Sequence, residues 1–158
     1  MKYFLLISLL VSTLSTSALA TDVKFVGKSL LEVTFFKIDV YEISYYKNET
    51  GVSEIHLDYK RDVELKHSIM GWNQGLEHVL EKSPVKKEKL KWIIKNTTDY
   101  KEKDLVVLRR DNNKVSLFKN KKLVAQIEDA DIASIIHEAW IGSKPISKEM
   151  KNDLLGIK

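Results

Sequence analysis

The chain has 158 residues, of which 44% are hydrophobic and 30% charged, a globular rather than a disordered composition. It contains no Cys, which excludes a disulfide framework, thiolate metal sites and a cysteine nucleophile. The excess of 26 Lys and Arg over 22 Asp and Glu is mild and spread along the chain, so no nucleic-acid partner is expected.

The first segment reads as a signal peptide. Lys2 precedes a short apolar run, Tyr3 to Val11, and small residues follow, ending in Ala18-Leu19-Ala20. A run this short falls well below the roughly 20 residues a spanning helix needs. Residues 1–20 are therefore expected to be a signal peptide, and 21–158 one exported domain, periplasmic in a bacterium. No later stretch has the length and apolarity of a membrane span.

Residues 22–46 are rich in Val, Phe, Ile and Tyr, and Tyr41, Ile43 and Tyr45 alternate with polar neighbours. Asn48 to Ser53 is a turn. Ile55, Leu57 and Tyr59 alternate with Glu54, His56 and Asp58 to form a half-buried strand. After Arg61 the period lengthens: Leu65, Ile69, Trp72, Leu76 and Val79 form one helical stripe, with Asp62 as the expected N-cap. Ser83-Pro84 stops that helix and starts a second, with Val85, Leu90, Trp92, Ile93 and Ile94.

Residues 104–127 read as three antiparallel strands, turning at Asp111-Asn112-Asn113 and at Lys119 to Lys121. A helix capped by Asp129 or Asp131 runs through Trp140 to a C-terminal Gly142. Ser147 caps a last helix that Gly156 closes. Hairpins outnumber crossovers, so the expected class is α+β with an antiparallel sheet. Trp72, Trp92 and Trp140 are expected in the core. Arg109, Arg110, Lys119, Lys121 and Lys122 are expected to be solvated turn and edge charges.

Catalytic motifs are missing. There is no P-loop, G-x-G-x-x-G or G-x-S-x-G. The four His show no i, i+4 pair, and His67 and His78 share a helix face about 16 Å apart, too far for one ion. No metal and no cofactor are expected. Gly71 and Gly75 with these two His form a slim polar strip. Close backbone packing explains it; the wall of a ligand cleft is the alternative.

Three segments carry a resemblance. Phe25-Val26-Gly27-Lys28-Ser29 leads to Phe36-Lys37-Ile38-Asp39-Val40-Tyr41. Leu57 to Val63 precedes the first helix. Ile127-Glu128-Asp129 leads through Ala139-Trp140-Ile141-Gly142 and Pro145 to Leu154-Leu155-Gly156. In this order they resemble the exported bacterial branch of the chalcone isomerase-like family. The resemblance implies an open-faced β-sandwich, an antiparallel sheet covered on one side by helices with a cleft between. It also implies one of two activities, ring closure on a phenolic or enone substrate or binding of a fatty acid.

Aligned on Val40-Tyr41, Phe36 stands where the family's enzymes place a Thr, and a Phe supplies no hydroxyl hydrogen bond. Non-enzymatic binding of an apolar acid is therefore expected first. An interaction protein without a ligand is the second reading, and an isomerase or intramolecular lyase the third. Lys28 or Arg61 is the candidate partner for the acid. Tyr41, His67 and Asn73 complete the candidate site, Asn73 as a distant counterpart of a family Asn on the helical side.

Overall fold

The computed structural model describes residues 23–33 and 38–157. The expected signal peptide and Phe36 lie outside the described residues. Six strands pair in simple sequence order, every neighbour antiparallel: β1 (Lys24–Val33), β2 (Ile38–Lys47), β3 (Val52–Tyr59), β4 (Leu105–Asp111), β5 (Lys114–Lys119) and β6 (Lys122–Glu128). Five helices are described: α1 (Leu65–Leu80) and α2 (Pro84–Lys95) between β3 and β4, then α3 (Ala130–Ile135), α4 (Glu138–Ile141) and α5 (Lys148–Leu155) after β6. This is the α+β open-faced arrangement expected from the sequence.

Turn chemistry sets the meander. Gly51 (φ 92°) turns β2 into β3, Asn112 (φ 52°) turns β4 into β5, and Asn120 and Lys121 (φ 51° and 68°) turn β5 into β6. The loops after β4 and β5 have two residues each, and positive φ in such loops matches the twist of the paired strands. Period-two alternation then divides the sheet into faces. Tyr41, Ile43, Tyr45, Ile55, Leu57, Tyr59, Val106, Leu108, Val115 and Leu117 point inward and are buried.

The helices cover the inner face unevenly. α5 seats on β1, where a Cβ on Gly27 would lie 2.0 Å from the carbonyl oxygen of Asp153. Only a residue without Cβ admits this approach. α1 leans instead on α2 and α4 and stands off the sheet. Gly75 meets α4, its hypothetical Cβ 2.7 Å from that of Ala139, whereas Gly71 has no neighbour within 4 Å. The two glycines thus serve the two purposes weighed for the strip, one close packing and one open space. Gly75→Ala is expected to destabilise the fold by about 1–3 kcal/mol through overpacking. Gly71→Ala is expected to be neutral or stabilising by up to about 1 kcal/mol through helix propensity. Urea denaturation of the two variants checks the contrast.

Helix boundaries depart from the sequence expectation in three places. α1 begins at Leu65, not at Asp62, because Val63 is still extended and bridged to Tyr100. Asp62 instead accepts from Lys101 Nζ (2.8 Å) and the Glu102 amide (3.0 Å), and Asp99 takes the free Leu65 amide at 2.7 Å. The helix after β6 is two short helices that break around Ile136 and His137, where the buried imidazole bonds the sheet. Gly142 does end α4, but at φ −71°, outside the left-handed region. The caps at Ser83, Asp129 and Ser147, and the left-handed Gly156 (φ 64°), are as expected.

Some packing differs too. Val85 is exposed, because α2 buries only Leu90 and Ile93. Trp140 is buried, and Trp72 and Trp92 are half-buried against the core. Arg109 is not a solvated edge charge: it pairs at 2.9 Å with Glu54, itself 4% exposed on the outer face of the sheet. Glu54 also meets His56 Nε2 at 2.7 Å, and Tyr46 packs against the His56 ring. Lys119 pairs with Asp104 at 2.9 Å.

Candidate functional site: a cleft between sheet and helices

Where α1 stands off the sheet, a cleft of about 890 Å³ opens. This lies within the range of pockets that enclose small organic ligands, about 300–1,000 Å³. Its floor is the inner face of the sheet, including Leu31, Tyr41, Leu57, Tyr59, Val106, Leu108 and Leu117. Its roof is the face of α1 that carries Ser68, Gly71, Trp72 and Gly75, and α4 closes it with Ala139 and Trp140.

Aromatic rings order the interior. Trp72 meets Trp140 edge to face at 5.4 Å between centroids, Tyr41 meets Tyr59 the same way at 5.5 Å, and Tyr59 stacks on Tyr100 at 4.5 Å. Such offset and edge contacts are the favoured geometries for aromatic pairs. Trp140 Nε1 donates to the Tyr41 hydroxyl at 3.0 Å. Burial pushes the Tyr41 phenol up to about 12, against the opposing effect of the Trp140 hydrogen bond. Burial also raises the Tyr59 phenol, helped by Tyr100, Tyr41 and Asp104 nearby. Both are neutral hydroxyls at neutral pH.

The rim is charged. Arg61, His67 and Lys144 line it, together with Glu32, Asp62 and Glu64. Two of these carboxylates are already engaged, Asp62 with Lys101 at 2.8 Å and Glu64 with Lys66 at 2.7 Å. Among the described residues no carboxylate pairs with Arg61 or Lys144. The arrangement offers an oily interior with free positive charge at its mouth.

Of the five residues proposed from sequence, Tyr41, Arg61 and His67 line this cleft and Lys28 and Asn73 do not. Lys28 stands on the outer face of the sheet, opposite Ser44 in register, and its ammonium pairs with Glu42 at 3.1 Å. Strand alternation puts it there, since Gly27 and Ser29 are the inward neighbours. Asn73 falls on the exposed side of α1 and its amide donates to the Ile69 carbonyl at 2.9 Å. His78, the far end of the polar strip, points at the α1–α4 seam, 3.7 Å from Glu138. Tyr59, Trp140 and Lys144 were missed as site residues. Tyr59 shares the alternation of Tyr41 and was legible as an inward residue; Lys144 carries no local signal.

Beside this cleft, the described residues hold no group of three or more side chains able to bind a metal, and no helix long and apolar enough to cross a membrane. A search of curated protein sequences finds no match. Among solved structures, the chain is similar to a fatty-acid binding protein of Arabidopsis thaliana, with a TM-score of 0.69 over 85% of this chain and 87% of that one. At 15% identity this likeness speaks for the fold. The chalcone isomerase-like family profile matches residues 32–156, from the end of β1 to the end of α5. With most of the domain matched and the architecture shared, the chain belongs to the chalcone isomerase-like family.

Proposed function

We propose that this protein binds an apolar carboxylic acid, such as a fatty acid, in the cleft between sheet and helices, without transforming it. One observation carries the reading: an apolar cleft of about 890 Å³ has at its mouth an Arg61 that no carboxylate of the described residues neutralises. A guanidinium binds a carboxylate through paired charge-assisted hydrogen bonds, while the chain lies on the floor of Leu57, Val106 and Leu108. The exposed Arg61 is open to a carboxylate from outside, and the interior to an apolar chain. The similar fold of a protein named for binding fatty acids supports the same reading.

Export through the expected signal peptide would place this binding outside the cytoplasm. The experiment is a titration of the purified protein with dodecanoic acid, followed by calorimetry or by displacement of a fluorescent fatty acid. Saturable binding at one site is expected. A protein that ignores dodecanoic acid and releases no acid in native mass spectrometry overturns the reading.

A further inference from the structure

The floor of the cleft holds two hydrogen-bond donors that an unsubstituted fatty acid does not use. Tyr41 and Tyr59 are register partners on β2 and β3, 8% and 5% exposed. The Tyr41 oxygen accepts the Trp140 N–H at 3.0 Å, which turns the phenol's own proton away from the indole. Among the described residues no group accepts that proton, and none accepts from the Tyr59 hydroxyl. Neither oxygen is sealed off without a partner as the Ser68 hydroxyl is, so both protons are open to an acceptor in the cleft, water when it is empty and a ligand oxygen when it is filled.

Their place relative to the rim is set by the chain. Arg61 follows Tyr59 by two residues, across the bend that ends β3, where the Lys60 amide donates to the Val40 carbonyl at 2.9 Å. Two residues of chain span at most about 7 Å, so the two backbones stay close. Tyr59 and Arg61 both line the cleft, and Lys60 between them does not. The phenols therefore sit just inside the cationic mouth, over the first part of a bound acid. No cation lines the floor beside them, so what they bind is a neutral oxygen, because a buried carboxylate there would go unpaired.

Resting on the binding reading above, we propose that the natural ligand is a fatty acid with a hydroxyl or carbonyl oxygen within the first few carbons of its head, held by the phenols of Tyr41 and Tyr59 while Arg61 holds the carboxylate.

The test is calorimetric titration of the full chain with dodecanoic acid, beta-hydroxydodecanoic acid and omega-hydroxydodecanoic acid. The beta-hydroxy acid is expected to bind about three- to tenfold more tightly than the parent acid, the worth of one net hydrogen bond. The omega-hydroxy acid is expected to gain nothing. The ratio of beta-hydroxy to parent affinity is expected to fall to about one in Tyr59→Phe, which keeps the stack on Tyr100. Tyr41→Phe is the second variant, and a thermal melt checks that each is folded. Equal affinity for all three acids, preference for the omega-hydroxy acid, or an advantage that survives in both variants overturns the inference and leaves simple acid binding standing. Failure of all three acids to bind overturns both.

Discussion

Arg61→Ala is expected to weaken dodecanoate binding by about 10- to 150-fold, the range set by losing a hydrogen bond to a charged group. Arg61→Lys keeps the charge but loses the planar fork, so it should recover only part of the loss. Lys28→Ala is the matched control. Lys28 carries the same charge, yet it sits on the outer face beside Glu42, so its removal should leave the affinity as it was. Because Arg61 lies at a solvated mouth, added salt should lower wild-type affinity and have less effect on Arg61→Ala. Calorimetry of the four proteins at two salt concentrations checks the set. A Lys28→Ala loss as large as that of Arg61→Ala would show that the acid binds elsewhere.

The second large effect is on stability. His137 is 3% exposed at the break between α3 and α4, with Nε2 2.9 Å from the Leu108 carbonyl and Nδ1 3.5 Å from Ser53 Oγ. This pairing makes Nε2 the donor, so the neutral tautomer fits the site. Burial, with Arg110 nearby, lowers the imidazole to about 4, although the bond to Leu108 works the other way. In the unfolded chain the same group protonates near pH 6.5. Between these values the unfolded chain binds more protons than the folded one. The stabilisation is therefore full above about pH 6.5 and is lost as the pH falls through about 4, a difference of about 3 kcal/mol. Chemical denaturation at pH 7, 5 and 4 should show this loss, flattened in His137→Gln. The His137 ring resonances should not titrate above about pH 5; a midpoint near 6.5 in the folded protein would overturn the assignment.

His137 also shows why the helix after β6 was misread. Ile132, Ile135, Ile136, Ala139 and Trp140 keep a helical period across the break, so periodicity alone continues the helix. The interruption comes from a bond between the imidazole and a strand some thirty residues earlier in the chain, which no local pattern encodes. Asp62 fails for a related reason. Its side chain has the chemistry of an N-cap, but the bridge from Val63 to Tyr100 holds the backbone extended and the carboxylate goes to Lys101 and Glu102 instead. Capping rules weigh a residue against its near neighbours, and here distant partners win.

Faces were legible and placements were not. The alternation of Tyr41 and Ile43 with Glu42, and of Leu57 and Tyr59 with Asp58, was enough to predict an inner face. The same rule, carried back along β1 from register with β2, puts Lys28 outside; without that register its phase could not be assigned. Arg109 looked like a surface charge until its partner Glu54 was brought beside it on the adjacent strand.

The local order of strands, turns and caps, and the polar gap in the α1 stripe at Gly71 and Gly75, were written in neighbouring residues, because hydrophobic period and turn chemistry act over only a few positions. Whether α1 lies flat on the sheet or stands away from it was decided in three dimensions. Its contact with Ala139 at Gly75 leaves Gly71 over open space, and that spacing opens one hollow lined by Tyr41, Arg61 and Trp140 from separate parts of the chain.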